Sequence, residues 1–595
     1  MPFSIFCLAF LAAFFSSTSW GAVNVQPADV NYGGIVGGQG RSLIATEEEE
    51  SPRTSEEELF QYDEDDYIED INKLKKFEKK ILLKKVVFHG NNIVSTNELN
   101  AIAMAYVNRQ IGFAELNELK REIYAFCAKK GLIFHRILLP TQEVRDGDVD
   151  IWIRETNIHR ITVTADKRVR KQIRPYVALL RQAKTRNEYE RIFLLMQRLA
   201  GFTVRAVVQP IPDQPTKLEM HIVVKENKFR GVLSISNTLL KKDVGPWAAA
   251  LGLNFDNIIG LNEHWEVSAQ VAHPYRELLS LSGSLNLPLG RNGLSALAGV
   301  SYFWTEPSVV GVDLVKTETP SGHKASRRRC KFGLAYPFLL RFGKEVSLEA
   351  AYYNYYGMKK QYDVRIPISK REDPTYEEET RYDYMRFKLR TKLRAGRVSH
   401  IILLSGSYQP SRAAAHKGFA YEGKRRVQLF SDGINRARGV YLAYTLYAAL
   451  PKNIGFSLLL GGQYSFDNRE TMDLYRPVGD SRTTYAYPVG SLLGESGWAA
   501  RLGLSKSFRS SKHVVFAPYL FASYGAVFER KDRNEQGVSN YTDLCSWGLG
   551  VECSVSRHVS MKAEYANPIG HLRRPSTVPK VVGEKRFVFS LSMTF

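Results

Sequence analysis

The sequence predicts a membrane-spanning β-barrel of about 16 antiparallel strands, preceded by two small domains of β-α-α-β-β order. Three observations carry this expectation. The chain ends in a period-two strand, "FVFSLSMTF", with Phe587, Phe589, Leu591, Met593 and Phe595 on one face and Val588, Ser590, Ser592 and Thr594 on the other. The same alternation recurs upstream. Between residues 81 and 227 one order of strands and helices is written twice.

The first residues set the compartment. Phe3–Phe15 is a short apolar core followed by small residues at Ser19 and Gly21, the pattern of a secretory signal peptide over residues 1–21. It lacks Lys or Arg before the core, and an uncleaved anchor is the alternative reading. Residues 22–54 read as a linker. Its "YGGIVGGQG" lacks the strand–turn–helix context of a nucleotide loop. A capping box at Ser55 and Glu58 opens a possible helix over residues 55–80.

The charge is divided unevenly. The chain carries a formal +21. Residues 47–70 hold 13 acidic residues and one arginine, and residues 1–46 sum to zero, so residues 71–595 carry +33. Such a body suits nucleic acid or a charged channel. An exported chain excludes the first. The acidic segment is equally compatible with a solvated tail and with a plug held in a basic pore.

Residues 81–155 form the first expected unit. "ILLKKVVFHGN" is a strand, Ser95 and Glu98 form a capping box for "STNELNAIAMAYVNRQ", and "FAELNELKREIYAFCAKKG" is a second helix ending at Gly131. The strands "LIFHRILLP" and "DVDIWIRE" complete it. Residues 156–227 repeat the order, with a second capping box at Thr185 and Glu188.

The barrel is expected over residues 228–595, at about 23 residues per strand plus connection. Trp265, Val267, Ala269 and Val271 alternate with Glu266, Ser268 and Gln270. Trp547, Leu549 and Val551 alternate with Gly548, Gly550 and Glu552. Strand lengths near ten residues and connections alternately short ("SVSRHV") and long (Asn567–Lys585) favour a membrane barrel over a soluble sandwich. Cys545 and Cys553 lie on one strand, too far apart to bond each other. No apolar run reaches the ~18–20 residues of a spanning helix. No HExxH, no G-x-S-x-G and no metal-type cysteine spacing is present, so neither catalysis nor a cofactor nor a metal is expected.

One connection is unlike a solvent loop. "TTYAYPVGSLLGESGW" (Thr483–Trp498) holds three glycines and three large aromatics against a single charge. Such a segment suits packing inside an enclosure.

Paired β-α-α-β-β units before such a barrel resemble POTRA domains. "LLPTQEVRDGDVDIWIRETNIHRI", with Pro140, Gln142 and Gly147, is similar to the end of the first unit in two-partner secretion transporters, the TpsB family. The enclosed connection resembles that family's inward-folded lid, which reads V-R-G-[YF] before a Gly-rich G-[DE]-x-G-W. The likeness implies a lid motif at Tyr485, Ala486, Tyr487, Pro488, Gly490, Gly494 and Gly497. It implies an inner-wall partner in "FASYG", at Phe521, Ser523 and Gly525. This chain departs from the family there. Tyr485 stands where the family's Arg is expected and Ser523 where its Asp is. Losing both avoids a stranded charge, and a neutral contact between them is the expectation; a shifted alignment using Arg482 is the alternative. The resemblance further implies an outer-membrane lipid setting with POTRA domains in the periplasm, a secreted exoprotein client, and barrel-assembly machinery during biogenesis. A barrel-assembly factor is the rival within the superfamily, and a passive porin or adhesin the rival outside it.

Overall fold

The computed structural model describes residues 81–595, apart from 238–246, 306–320, 364–373, 467–485, 488–495, 530–539, 573–582 and several shorter breaks. The expected signal peptide, linker and plug helix lie outside the described residues, as do Pro140 and Gln142. The described residues fall into an N-terminal unit and a barrel unit that begins at Lys228.

The first repeat contains β1 (Ile81–Leu83), β2 (Lys85–His89), α1 (Thr96–Ala103), β3 (Arg109–Ile111), α2 (Phe113–Lys129), β4 (Phe134–Leu138) and the first half of β5 (Asp148–Thr164). Ser95 and Glu98 form the reciprocal capping box read from the sequence. Helix α1 ends at Ala103, short of the expected run. Asn108 sits at φ 61, and the chain then enters β3, which pairs with β1. Leu83, Leu99, Leu119, Ile123 and Ile151 close the core of this repeat.

The second repeat uses the rest of β5, then α3 (Lys167–Gln182), α4 (Arg186–Gln197), β6 (Phe202–Ile211) and β7 (Gln214–Glu226). Its capping box at Thr185 and Glu188 forms. Strand β5 runs unbroken through the expected boundary between residues 155 and 156. It pairs with β2 and β4 along its first half and with β7 along its second. The two repeats therefore share one sheet, in which a continuous backbone ladder replaces a flexible linker.

Gly147 is the one described member of the predicted Pro140–Gln142–Gly147 motif. Its φ is +86, and a Cβ there would lie 2.3 Å from the Leu82 carbonyl oxygen. Its own carbonyl accepts from Lys84 N at 2.8 Å. Any side chain must push β1 and β5 apart. Gly147→Val is expected to destabilise the first repeat by more than ~2 kcal/mol. Limited proteolysis of the purified protein reads this as faster cutting before residue 156, with the barrel left intact.

The barrel begins with β8 (Phe229–Ser236), β9 (Trp247–Asp256), β10 (His264–His273), β11 (Leu279–Pro288), β12 (Ser295–Thr305), β13 (Ser321–Arg341), β14 (Lys344–Asp363) and β15 (Tyr376–Ala395). It continues with β16 (Val398–Gln409), β17 (Ala414–Glu422), β18 (Arg425–Gly433), β19 (Ala437–Leu450), β20 (Ile454–Ser465), β21 (Ser496–Lys506) and β22 (Phe508–Arg509). The last four are β23 (Val514–Glu529), β24 (Asn540–Val555), β25 (Val559–Gly570) and β26 (Arg586–Thr594). These segments make 16 antiparallel strands, since β16–β17, β18–β19 and β21–β22 are each one interrupted strand. Strand β15 shows why: its lower half pairs with β16 and its upper half with β17.

Closure is by β26 on β8, and the terminal Phe595 exchanges both backbone bonds with Gly231, at 2.8 and 2.9 Å. A Cβ at Gly231 would stand 2.3 Å from the Phe595 ring. Trp265, Val267, Val271, Trp547, Leu549 and Val551 are exposed, so the apolar face of the alternation points outward as a lipid-facing belt. At the end where the chain enters the barrel, turns are short, as between β13 and β14 or β15 and β16. The opposite end carries the long connections. The final long connection starts only after Gly570, because β25 extends through Asn567–Gly570.

Strand length is the main departure. Strands of about ten residues suffice to cross a bilayer, yet β13 has 21 residues and β14 and β15 have 20 each. On their outer face the apolar Tyr352 and Met385 give way to a polar pair, Asn354 Nδ2 donating to Asp383 Oδ1 at 2.6 Å. The excess length therefore rises beyond the belt. A stack of Tyr353 on Tyr384 and Tyr355 on Tyr382 stiffens its inner face.

Candidate functional site: a connection fastened to the inner wall

The connection between β20 and β21 touches the wall at two described residues. Ala486 and Tyr487 are both buried, at 0% and 1% exposure. They pack with Tyr519, Phe521, Val527, Leu544 and Ala566, which come from β23, β24 and β25. Phe521 is the aromatic of the wall segment that the resemblance implies. Tyr485, Pro488, Gly490, Gly494 and Arg482 lie outside the described residues. Gly497 belongs to β21, opposite Gln463 and Val527, and is thus part of the wall rather than of the lid. Its missing side chain lets β23 approach, since a Cβ would stand 2.6 Å from the Ala526 carbonyl.

The fastening is made by one hydroxyl. Tyr487 Oη donates to the Cys545 carbonyl at 2.9 Å and accepts from Gly570 N at 2.9 Å. Cys545 and Gly570 are opposite one another on β24 and β25, beside a register shift that leaves Ile569 without a partner across the strand. The phenol thus bridges a donor and an acceptor across that irregular rung. Burial raises the Tyr487 pKa above that of an ordinary tyrosine, which keeps the phenol protonated and able to donate at neutral pH. Two backbone ties flank it. Arg586 Nη1 donates to the Tyr487 carbonyl at 3.2 Å, and Glu584 N donates to the Ala486 carbonyl at 3.2 Å. Gly583 makes the approach possible, because a Cβ there would meet the Tyr487 ring at 2.6 Å and Pro568 at 2.4 Å.

Beside this anchor lies a buried ion pair. Arg501 on β21 reaches Glu564 on β25, Nη2 to Oε2 at 2.7 Å and Nη1 to Oε1 at 3.4 Å. Tyr519 Oη donates to Glu564 Oε2 at 2.6 Å, and Lys562 Nζ stands 3.4 Å from the same oxygen. The Arg501 guanidinium lies over the Phe521 ring, 3.9 Å from its centre. Arg501 is also directly across from Ser523, the position where the resemblance leads one to expect an aspartate. Ser523 instead shares a 2.6 Å hydrogen bond with Ser546 on β24. Gly525 is opposite Ala499 in the same ladder. A charge pair does sit at this place in the wall, but both of its members are wall residues. It clamps β21 to β25 across the back of Phe521, on which Tyr487 packs.

Sequence reasoning missed Arg501, Glu564 and the Cys545–Gly570 rung. The alternation of β21 and β25 puts Arg501 and Glu564 on inward positions, which marks each as a lumen residue. Their pairing requires the strand order.

The POTRA domain model of the ShlB type matches residues 81–156. The outer membrane transporter CdiB of Dickeya dadantii is 20% identical over 212 residues, covering 35% of this chain. The match spans 38% of that relative's length. CdiB from Escherichia coli superposes with a TM-score of 0.60 at 15% identity, over 88% of this chain and 92% of that one. CdiB from Acinetobacter baumannii gives 0.51 at 14% identity, over 87% and 91%. The architecture, two POTRA-like domains and a 16-strand barrel, is thus shared with solved outer-membrane transporters.

Proposed function

We propose that this chain, an outer-membrane β-barrel transporter carrying POTRA domains, exports an unfolded polypeptide as the pore partner of a two-partner secretion pair. The observation that carries the reading is the connection fastened to the inner wall through Tyr487. An inward-packed segment held by one hydroxyl, one guanidinium and one backbone amide is a closure that can be released, which neither a passive porin nor an adhesin needs. A client in extended form meets the POTRA strands first and gains affinity through backbone hydrogen bonds with few sequence demands. It then displaces the connection and threads the lumen. The wall residues supply positioning and charge, and no covalent chemistry is involved.

The test compares culture supernatant and outer-membrane proteomes with and without the gene. One or two large exported proteins should vanish from the supernatant or surface and accumulate or degrade in the periplasm. Broad depletion of other barrels would instead make this an assembly factor, and no change in either fraction would sink the transport reading.

A further inference from the structure

The inner face of β13–β15 differs in charge from the rest of the lumen. On β15, Met385, Phe387 and Leu389 are exposed apolar side chains of the outer belt. The interleaved Arg386, Lys388, Arg390, Lys392 and Arg394 therefore face inward. On β13, Phe332, Leu334 and Phe338 point outward in the same way, which turns Arg327, Arg329 and Lys331 to the lumen. Between them β14 offers Glu345 and Glu349. Glu349 is shared by Lys331 at 2.7 Å and Lys388 at 2.9 Å, and Glu345 lies 3.8 Å from Lys392. These eight cations thus face two carboxylates, Glu345 and Glu349; higher on the same inner face Lys359 and Glu378 pair with each other at 3.4 Å.

Among the described residues of other strands, cations stand beside carboxylates. Arg501 and Lys562 are matched by Glu552 and Glu564, and Arg230 by Asp256 at 3.3 Å. Cations that merely filled the lumen would have no reason to gather on one side. Several guanidinia on this side are also held in place by rings. Arg386 lies 5.3 Å from the centre of the Tyr353 ring and 5.1 Å from that of Tyr384, and Arg329 lies 6.0 Å from Tyr353. Fixed cations on low-dielectric walls concentrate an anionic ligand more effectively than mobile ones.

We infer that the inner face of β13–β15 is a binding track for an acidic stretch of extended polypeptide. This deepens the transport reading and rests on it. Residues of one sign repeat every second position on β15, a spacing of about 7 Å, the same as that between same-face side chains of an extended client.

The experiment measures binding of a fluorescent ten-residue polyglutamate peptide to the purified full-length protein in detergent, at low salt. Polyglutamate should bind, a neutral Ser-Gly peptide of equal length should not, and affinity should fall steeply as salt rises. Arg390→Glu should weaken binding about fivefold. Arg328→Glu makes the same charge change on β13, one strand beyond β14, but on the outer face, opposite the exposed Tyr302. It should leave binding within twofold. Retained heat-dependent gel mobility shows that each variant is a closed barrel. Equal loss in the two variants, or no preference for polyglutamate over the neutral peptide, overturns the track. Polyglutamate binding that depends on Arg390, in a protein whose gene deletion changes no exported protein, would remove the secretion reading and leave the track standing.

Discussion

Replacing Tyr487 by phenylalanine should make the pore leak. The ring would stay in its pocket against Phe521, Leu544 and Ala566, so the packing that buries it is kept. What disappears is one oxygen that serves both the Cys545 carbonyl and the Gly570 amide. These part-buried backbone groups then lack that partner, at a combined cost of ~1–3 kcal/mol. The cost falls only on the closed arrangement, because water can satisfy both groups once the connection lifts away. A bias of that size moves a closed-to-open equilibrium by roughly five- to a hundred-and-fifty-fold. Planar-bilayer recordings should show the open fraction rising by at least about fivefold, and cells should become more sensitive to bulky antibiotics. Tyr487→Ala should go further, since the buried ring is lost as well. Tyr524→Phe is the matched control. Its hydroxyl bonds Tyr541 and Asp543, wall residue to wall residue, with no share in the connection. Equal conductance in the Tyr487→Phe and Tyr524→Phe proteins would mean that the hydroxyl does not hold the closure.

The fold was legible because its periods are local. Alternation at Trp265–Val271 and Phe587–Phe595 fixes which face meets lipid without knowledge of any neighbour. The capping boxes at Ser95 and Thr185 announce their helices in four residues. What was not legible depends on pairing at a distance. The unbroken β5 looks like two strands in sequence, because nothing local in "IRETNIHRI" distinguishes a linker from a strand that changes partners. The 20-residue strands were hidden for a similar reason: polar residues past Asn354 and Asp383 read as loop until their register is known. At the site, Ala486, Tyr487 and Phe521 are named in the sequence only through resemblance to a motif. Arg501 and Glu564 are not, since a charge pair between β21 and β25 skips the two strands β23 and β24 and has no sequence spacing to betray it.

That pair makes the second large prediction, and the direction of its asymmetry is the informative part. Glu564 has 0% and Arg501 7% side-chain exposure, so breaking the pair from one side leaves a buried charge, typically ~3–5 kcal/mol. The two sides are not equivalent. When Arg501→Met is made, Glu564 keeps the Tyr519 hydroxyl at 2.6 Å and Lys562 at 3.4 Å, so its charge remains partly compensated. When Glu564→Gln is made, Arg501 keeps its stacking on Phe521 but loses the charge it pairs with, and Lys562 keeps Glu552, opposite it on β24, but loses the carboxylate at 3.4 Å. Glu564→Gln is therefore expected to lower the temperature at which the barrel unfolds by more than Arg501→Met does. Heat-dependent gel mobility of the purified proteins measures this directly. The double variant should fall short of the sum of the two losses, because the second change removes a charge that the first had stranded. The effect should also reach the closure. Phe521 carries the Arg501 guanidinium over its ring and shares a buried cluster with Tyr487, so a wall that loses its clamp offers the phenol a less fixed seat. Glu564→Gln should then raise the open fraction in bilayers, but by less than Tyr487→Phe. An unfolding temperature that drops equally in both single variants would instead assign the carboxylate no more than a pairwise role, with Tyr519 and Lys562 as bystanders.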